Sequence, residues 1–238
     1  MRVLILIPAR NEAESLPAVI RSLRAEQPDI DILVVDDESD DATRELLSGL
    51  GVEWLRLCEH LGIGGALRAG LRHGLRAGYD IVVRVDGDGQ HPASEIDHMI
   101  APLLRSQADA VVGSRFSGST GCQTPPGLRR MGQRVVAAWV SVATGVRVTD
   151  ATSGFWAFGP RAIRVLAAHH PAGYPEPELL LLLAHSGLRV TEVPIHMSKR
   201  LAGRTSLTSS RLGLACATTA LALLVAPLRR NVGEASGG

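Results

Sequence analysis

Lysine is almost missing from this sequence: Lys199 is the only one, and the other 24 of its 25 basic residues are arginine. That bias matches genomic base composition as readily as a need for planar, bidentate anion recognition. Aromatic residues are scarce as well, with three Trp, two Tyr and three Phe, and the formal net charge is only +1. Few platforms for stacked bases and no basic excess argue against a nucleic-acid partner. Cys58, Cys122 and Cys216 are odd in number and far apart. Neither a disulfide framework nor paired zinc-ligand spacing is present, which suits buried or incidental thiols in a reducing compartment. Long apolar runs are missing too. The N-terminal Val3-Leu4-Ile5-Leu6-Ile7 stops at Pro8, too short for a secretory signal and the right length for a buried strand, so the expected location is the cytoplasm.

Against these absences, 45% of the 238 residues are apolar, enough for one substantial core. Short β-rich runs at Val3 to Ile7, Ile30 to Val35, Val52 to Leu57, Ile81 to Val85 and Ala110 to Val112 alternate with stretches of helical spacing. The helical stretches are Glu12 to Ala25, Asp41 to Leu50, Gly65 to Ala77 and Ala93 to Leu104. This βα alternation predicts an α/β fold with a mostly parallel central sheet flanked by helices. After about Gly113 the alternation weakens. A Gly/Ser/Thr/Pro-rich stretch from Ser117 to Gly127 leads to a predicted helix from Leu128 to Thr144, then to the turn-like Asp150-Ala151-Thr152-Ser153-Gly154. A helix over Pro177 to Ser186 and a strand over Arg189 to Val193 follow.

Ligands of parallel sheets bind beyond the carboxyl ends of the strands, and the residues there are strongly polar. Strand one runs into Pro8-Ala9-Arg10-Asn11-Glu12, strand two into Asp36-Asp37-Glu38-Ser39-Asp40, and strand four into Asp86-Gly87-Asp88-Gly89-Gln90-His91. If the strand stays extended, Asp86, Asp88 and Gln90 project to one side, and a hard cation such as Mg²⁺ or Mn²⁺ could bridge them to a diphosphate. A glycine-containing turn that merely prefers aspartate is the plain alternative. For Asp36 and Asp37, ribose or nucleobase recognition competes with helix capping, which Ser39 or Asp40 can supply. His60-Leu61-Gly62-Ile63-Gly64-Gly65-Ala66 precedes a helix as a phosphate loop would, without meeting the strict dinucleotide fingerprint. Arg115 and Arg200 could each face phosphate or simply be solvated.

These segments, together with Gly113-Ser114-Arg115-Phe116, Thr152-Ser153-Gly154-Phe155 and Arg200 through Leu207, occur in an order similar to that of the inverting family 2 glycosyltransferases of the GT-A type. The branch they most resemble contains the dolichol-phosphate mannosyltransferases and related bacterial polyprenyl-phosphate enzymes. The resemblance covers roughly residues 1 to 226. It implies a catalytic domain over residues 1–207, with a donor half to about 115 and an acceptor half from about 116, followed by an apolar helix and flexible tail over 208–238. It further implies that Pro8, Ala9, Asn11, Glu12, Asp36 or Asp37, Gly64, Asp86, Arg115 and Arg200 serve a UDP- or GDP-sugar. Asp86, Asp88 and Gln90 would hold Mg²⁺ or Mn²⁺. Asp150 resembles an acidic position that could deprotonate or position an acceptor, so Asp150, Asp88 and Arg115 are the catalytic candidates; Ser153 and Trp156 fall on the acceptor side, with a packed core position the commoner role for a tryptophan such as Trp156.

The implied reaction is inverting sugar transfer to an acceptor, with polyprenyl phosphate and a soluble hydroxyl both open. A catalytically silent nucleotide-sugar-binding protein is the rival outside enzymes, and a nucleotidyltransferase lacks its lysine-bearing glycine loop here. Three positions depart from the usual pattern: His60 where asparagine is common, Glu38 where glycine follows paired aspartates, and Trp156 where arginine is frequent. The uncharged run Leu212 to Leu228, flanked by Arg211, Arg229 and Arg230, falls at or below the roughly 17 to 25 residues of a spanning helix. It is expected to be a buried helix, a dimer contact or a peripheral contact with the inner face of the membrane, with a spanning helix the less favoured alternative.

Overall fold

The structure is a computed structural model that describes residues 1–116, 137–142, 144–145, 148–171 and 175–201. Seven strands, β1 (Val3–Ala9), β2 (Asp31–Asp36), β3 (Glu53–Arg56), β4 (Ile81–Arg84), β5 (Ala110–Ser114), β6 (Trp156–Phe158) and β7 (Val190–Pro194), form one sheet in the order β3-β2-β1-β4-β6-β5-β7. All run the same way except β6, which is antiparallel to both β4 and β5. The helices are α1 (Leu16–Glu26), α2 (Thr43–Gly49), α3 (Gly62–Arg76), α4 (Ile96–Leu104), α5 (Pro160–His169) and α6 (Pro175–His185).

The apolar runs are strands because the centre of the sheet is covered on both faces, where continuous rather than alternating hydrophobicity is needed. Along β1 the side chains part in strict alternation. Leu4 and Leu6 join Leu33, Val35 and Val82 under α3 and α5, whereas Ile5 and Ile7 join Val34 and Val83 under α1 and α4. Each such buried side chain contributes about 1.5–3 kcal/mol. Helix α3 approaches the sheet closely because Gly70 lacks a side chain: a Cβ there would collide with Leu6. Edge strand β3 is half exposed, as its Glu53-Trp54-Leu55-Arg56 composition suggests.

The predicted βα alternation through β5 is present. Strand β6 and helix α5, at Trp156 to His169, are additions that periodicity did not reveal, since three strand residues are too few to display a period. The predicted helix over Leu128 to Thr144 lies mostly outside the described residues, of which 137–142 are helical. Met1–Gly203 form one compact unit; the segment 208–238 lies outside the described residues. Among the described residues, no helix is long and apolar enough to cross a membrane.

Candidate active site at the carboxyl edge of the sheet

Strands β1, β2 and β4 are parallel neighbours, so their following loops meet at one edge. Asn11 adopts a left-handed conformation, φ 56°, which asparagine tolerates better than most residues. Its Oδ1 accepts from the Asp40 amide and its own amide donates to Ser39 Oγ, both at 3.0 Å. Pro8 is half-buried and Ala9 buried in β1, and the Ala9 carbonyl accepts the Asp37 amide at 2.9 Å.

The two aspartates after β2 hold loops together. Asp36 is fully buried, and its Oδ1 accepts from the Ser39 amide at 3.0 Å. Its Oδ2 has no hydrogen-bond partner among the described residues, with the Arg56 guanidinium standing off at 3.8 Å. Asp37 uses both oxygens, one on His60 Nδ1 and one on the Leu61 amide, each at 2.8 Å. His60, standing where an asparagine is common, is thus the hydrogen-bond partner of Asp37. Glu38 has φ 58°, the left-handed geometry that explains why glycine suits this position. Gly64 lies inside the first turn of α3, so the expected glycine loop is already helical from Gly62.

The acidic turn itself differs from the expected extended ladder. Strand β4 ends at Arg84, residues 87–88 form a turn, and Gly89 has φ 80°. Asp88 Oδ1 accepts the Gln90 amide at 2.9 Å, the short loop closure typical of aspartate. The Arg200 guanidinium lies 2.9 Å from Asp88 Oδ2 and 3.1 Å from Gln90 Oε1. The segment carrying Arg200 is tied to the same turn by Ser198 N donating to the Gln90 carbonyl and Leu201 N to the Asp88 carbonyl. Glu12 lies alongside: a Cβ on Gly87 would stand 3.4 Å from Glu12 Cγ. Burial raises the Glu12 carboxyl above its usual range; Ser15 opposes this through a 2.6 Å hydrogen bond, while Asp88 and Asp86 reinforce it.

Asp86 is fixed from several sides. Its amide donates to His91 Nδ1 at 3.0 Å, and its Oδ1 accepts from Arg84 Nε at 3.1 Å. Burial alone would raise its pKa, yet Arg84 and then His91 hold the carboxyl below the usual range. His91 stacks on Phe155 with centroids 4.6 Å apart, and burial keeps its imidazole below the ordinary histidine value. Gly154 makes room for this arrangement, because a Cβ there would sit 2.7 Å from Asp86 Oδ2 and 2.9 Å from Arg84 Nη2.

The acceptor-side residues stand differently from expectation. Asp150 is buried, with Oδ2 taking Arg115 Nε at 2.6 Å and Oδ1 taking Arg115 Nη2 at 2.8 Å. Thr152 Oγ1 donates to Oδ1 as well, at 3.1 Å. Both oxygens are therefore occupied by donors, a poor arrangement for a general base. Glu192 on β7 holds this loop by accepting the Thr149 and Asp150 amides at 2.8 Å. Trp156 takes the core role. It is 0% exposed, stacks on Phe158, and donates Nε1–H to the Ser153 carbonyl at 2.8 Å. Its ring belongs to the core and offers no face to a sugar. Ser153 is likewise buried, its Oγ accepting from the Phe155 amide at 3.3 Å.

Arg84, Glu176, His91 and Glu192 were not singled out from the sequence. For Arg84 a signal existed: an arginine inside the apolar run Ile81 to Val85 must be buried with partners. Asp86, Asp88 and Gln90 carry the hard oxygen donors that a divalent cation takes. Among the described residues, no three His, Cys, Asp or Glu side chains converge as a metal cluster. The Arg200 guanidinium shows that Asp88 and Gln90 already attract a positive charge together.

A family model described as glycosyl transferase family 2 matches residues 4–162. The chain is 33% identical over 221 residues to an undecaprenyl-phosphate mannosyltransferase of Micrococcus luteus, covering 90% of each chain. It is 30% identical over 220 residues to a polyprenol monophosphomannose synthase of Mycolicibacterium smegmatis, covering 89% of this chain and 83% of the other. Its fold matches that of a glucosyl-3-phosphoglycerate synthase from Mycobacterium tuberculosis, crystallised with Mn²⁺, UDP and phosphoglyceric acid. The TM-score is 0.69 at 20% identity, over 94% of this chain and 78% of that one. The fold is thus of the GT-A type.

Proposed function

The chain belongs to glycosyl transferase family 2, and from that premise we propose that it transfers a sugar from a UDP- or GDP-linked donor to polyprenyl phosphate, inverting the anomeric centre. A phosphate oxygen of the acceptor attacks the anomeric carbon, the bond from that carbon to the diphosphate breaks, and the nucleoside diphosphate leaves. The observation that carries the acceptor class is the state of Asp150, whose two oxygens are engaged by Arg115 and Thr152. A hydroxyl acceptor needs a base to remove its proton, whereas an ionised phosphate needs none. The relatives named for undecaprenyl-phosphate and polyprenol substrates support the same choice.

On the donor side, Asp86, Asp88 and Gln90 would hold Mg²⁺ or Mn²⁺, which when bound offsets the charge gathering on the departing diphosphate. The structural neighbours crystallised with Mn²⁺ or Mg²⁺ and UDP support this reading. Asn11, Glu12 and the loops braced by Asp36 and Asp37 would line the nucleoside, and Arg200 would exchange its hold on Asp88 for phosphate. In this scheme Asp150 is a positioning residue for Arg115, not a base. A polyprenyl acceptor places the enzyme at the cytoplasmic face of a membrane; the run 212–228 that would make contact lies outside the described residues.

The test is a screen of labelled UDP- and GDP-sugars with Mn²⁺, with and without polyprenyl phosphate, scored as label extracted into organic solvent. Lipid-dependent transfer is expected, lost in chelator and in Asp88→Ala. Transfer to soluble hydroxyls at the same rate without the lipid phosphate would refute the acceptor assignment, and undiminished turnover of Asp88→Ala would refute the metal assignment.

A further inference from the structure

Arg84 is the least expected residue in the molecule: a guanidinium on a central strand, 2% exposed. It binds two carboxylates. Nε donates to Asp86 Oδ1 at 3.1 Å, and Nη1 donates to Glu176 Oε1 at 3.1 Å. Glu176 stands in the first turn of α6, its side chain 15% exposed. Burial holds its carboxyl above the usual range, against the opposing pull of Arg84.

With Asp86 as its sole partner, Arg84 would orient that carboxylate but also neutralise it, and a neutralised carboxylate is a weak ligand for a divalent ion. An ionised Glu176 would give the trio one net negative charge while leaving the Arg84 to Asp86 hydrogen bond in place. Gly154 completes the arrangement by keeping the space beside Asp86 Oδ2 free of a Cβ. Carboxylates behind metal ligands act in this way, through the orientation and basicity of the group in front.

We infer that Glu176 is a positioning residue for the donor site: it clamps Arg84 so that the guanidinium aims the Asp86 carboxylate without cancelling its charge toward the cation. The inference rests on the proposal that Asp86 holds the cation, and it makes the first turn of α6, 92 positions away from Arg84, part of the donor site.

The experiment is Mn²⁺ titration followed by electron paramagnetic resonance, with UDP and separately with GDP, on full-length wild type, Glu176→Gln and Glu176→Asp. Glu176→Gln keeps an acceptor for Arg84 and removes the charge, so Mn²⁺ affinity falls about 10- to 100-fold. Nucleotide affinity in chelator and the melting temperature in chelator change little. Glu176→Asp retains most of the wild-type affinity, and in an Asp86→Asn background Glu176→Gln has no further effect. Wild-type Mn²⁺ affinity in Glu176→Gln, or an equal loss in the Asp86→Asn background, overturns the inference and leaves the donor-site proposal standing. Wild type that binds no Mn²⁺ with either nucleotide overturns both. Should Glu176→Gln fail to fold, wild-type Mn²⁺ affinity in Glu176→Ala overturns the inference by itself.

Discussion

His170 gives the structure a built-in sensitivity to acid. It follows α5, is 3% exposed, and has Nδ1 2.9 Å from the Pro171 carbonyl. A carbonyl only accepts, so Nδ1 carries the proton of the neutral ring. Nε2 is buried without a hydrogen-bond partner among the described residues. Burial pushes the imidazole from 6.5 down to about 4, the Pro171 carbonyl opposing and Arg84 and Arg68 adding repulsion. The unfolded chain therefore takes up a proton near pH 6.5 that the folded chain refuses until about pH 4. Stability from the neutral ring is complete above pH 6.5, declines as pH falls toward 4, and is then lost. Spread over that interval, at about 1.4 kcal/mol per pH unit for one proton, the loss is about 3 kcal/mol. His170→Asn keeps a donor for the Pro171 carbonyl and cannot titrate in this range. Urea unfolding of both proteins between pH 7.5 and 4, followed by circular dichroism, should show wild type losing about 3 kcal/mol relative to the variant. A stability difference that stays constant to within about 0.5 kcal/mol across the range would refute the burial argument.

Two further substitutions test the loops around the acidic turn. Gly154→Ala places a methyl 2.7 Å from Asp86 Oδ2, so Mn²⁺-dependent nucleotide binding should fall about tenfold in calorimetry, with a stability cost of about 1–3 kcal/mol; unchanged binding would contradict the geometry. Glu38→Gly removes an L-residue from φ 58° and should raise stability by up to about 1 kcal/mol in thermal melts, after the added freedom of the unfolded glycine is counted. A destabilisation by that variant would show that the Glu38 side chain makes a contribution its backbone strain conceals.

What could be seen in the sequence followed the range of the interactions involved. Strands β1, β2 and β4 were evident because each is an apolar run buried on both faces, and the polar loops after them marked the edge. The role of Asp37 was not evident, since its partners His60 and the Leu61 amide are 23 and 24 positions away; their meeting depends on the sheet already being formed. For Trp156, its place after Thr152-Ser153-Gly154-Phe155 leaves the acceptor side and the core both open. All three residues of β6 are buried, so either face of this strand puts the ring in the core. Arg84 went unremarked although its place in an apolar run was a signal, and its clamp could not be read, because Glu176 lies on an element whose docking no local pattern reports.

The single reversed strand has a consequence for where this chain can change. Because β6 runs against β4, with Arg84 opposite Trp156 and Val82 opposite Phe158, it is the entrance of β6, not its exit, that arrives at the chemical edge. Residues Asp150 to Phe155 are therefore delivered to the loops that follow β1, β2 and β4, while Gly159 emerges at the far rim, its amide bound to the Asp109 carbonyl. Lengthening the chain before Trp156 would reshape the candidate site. Material grafted after Phe158 would hang from the opposite rim, so a reporter or an added module belongs there.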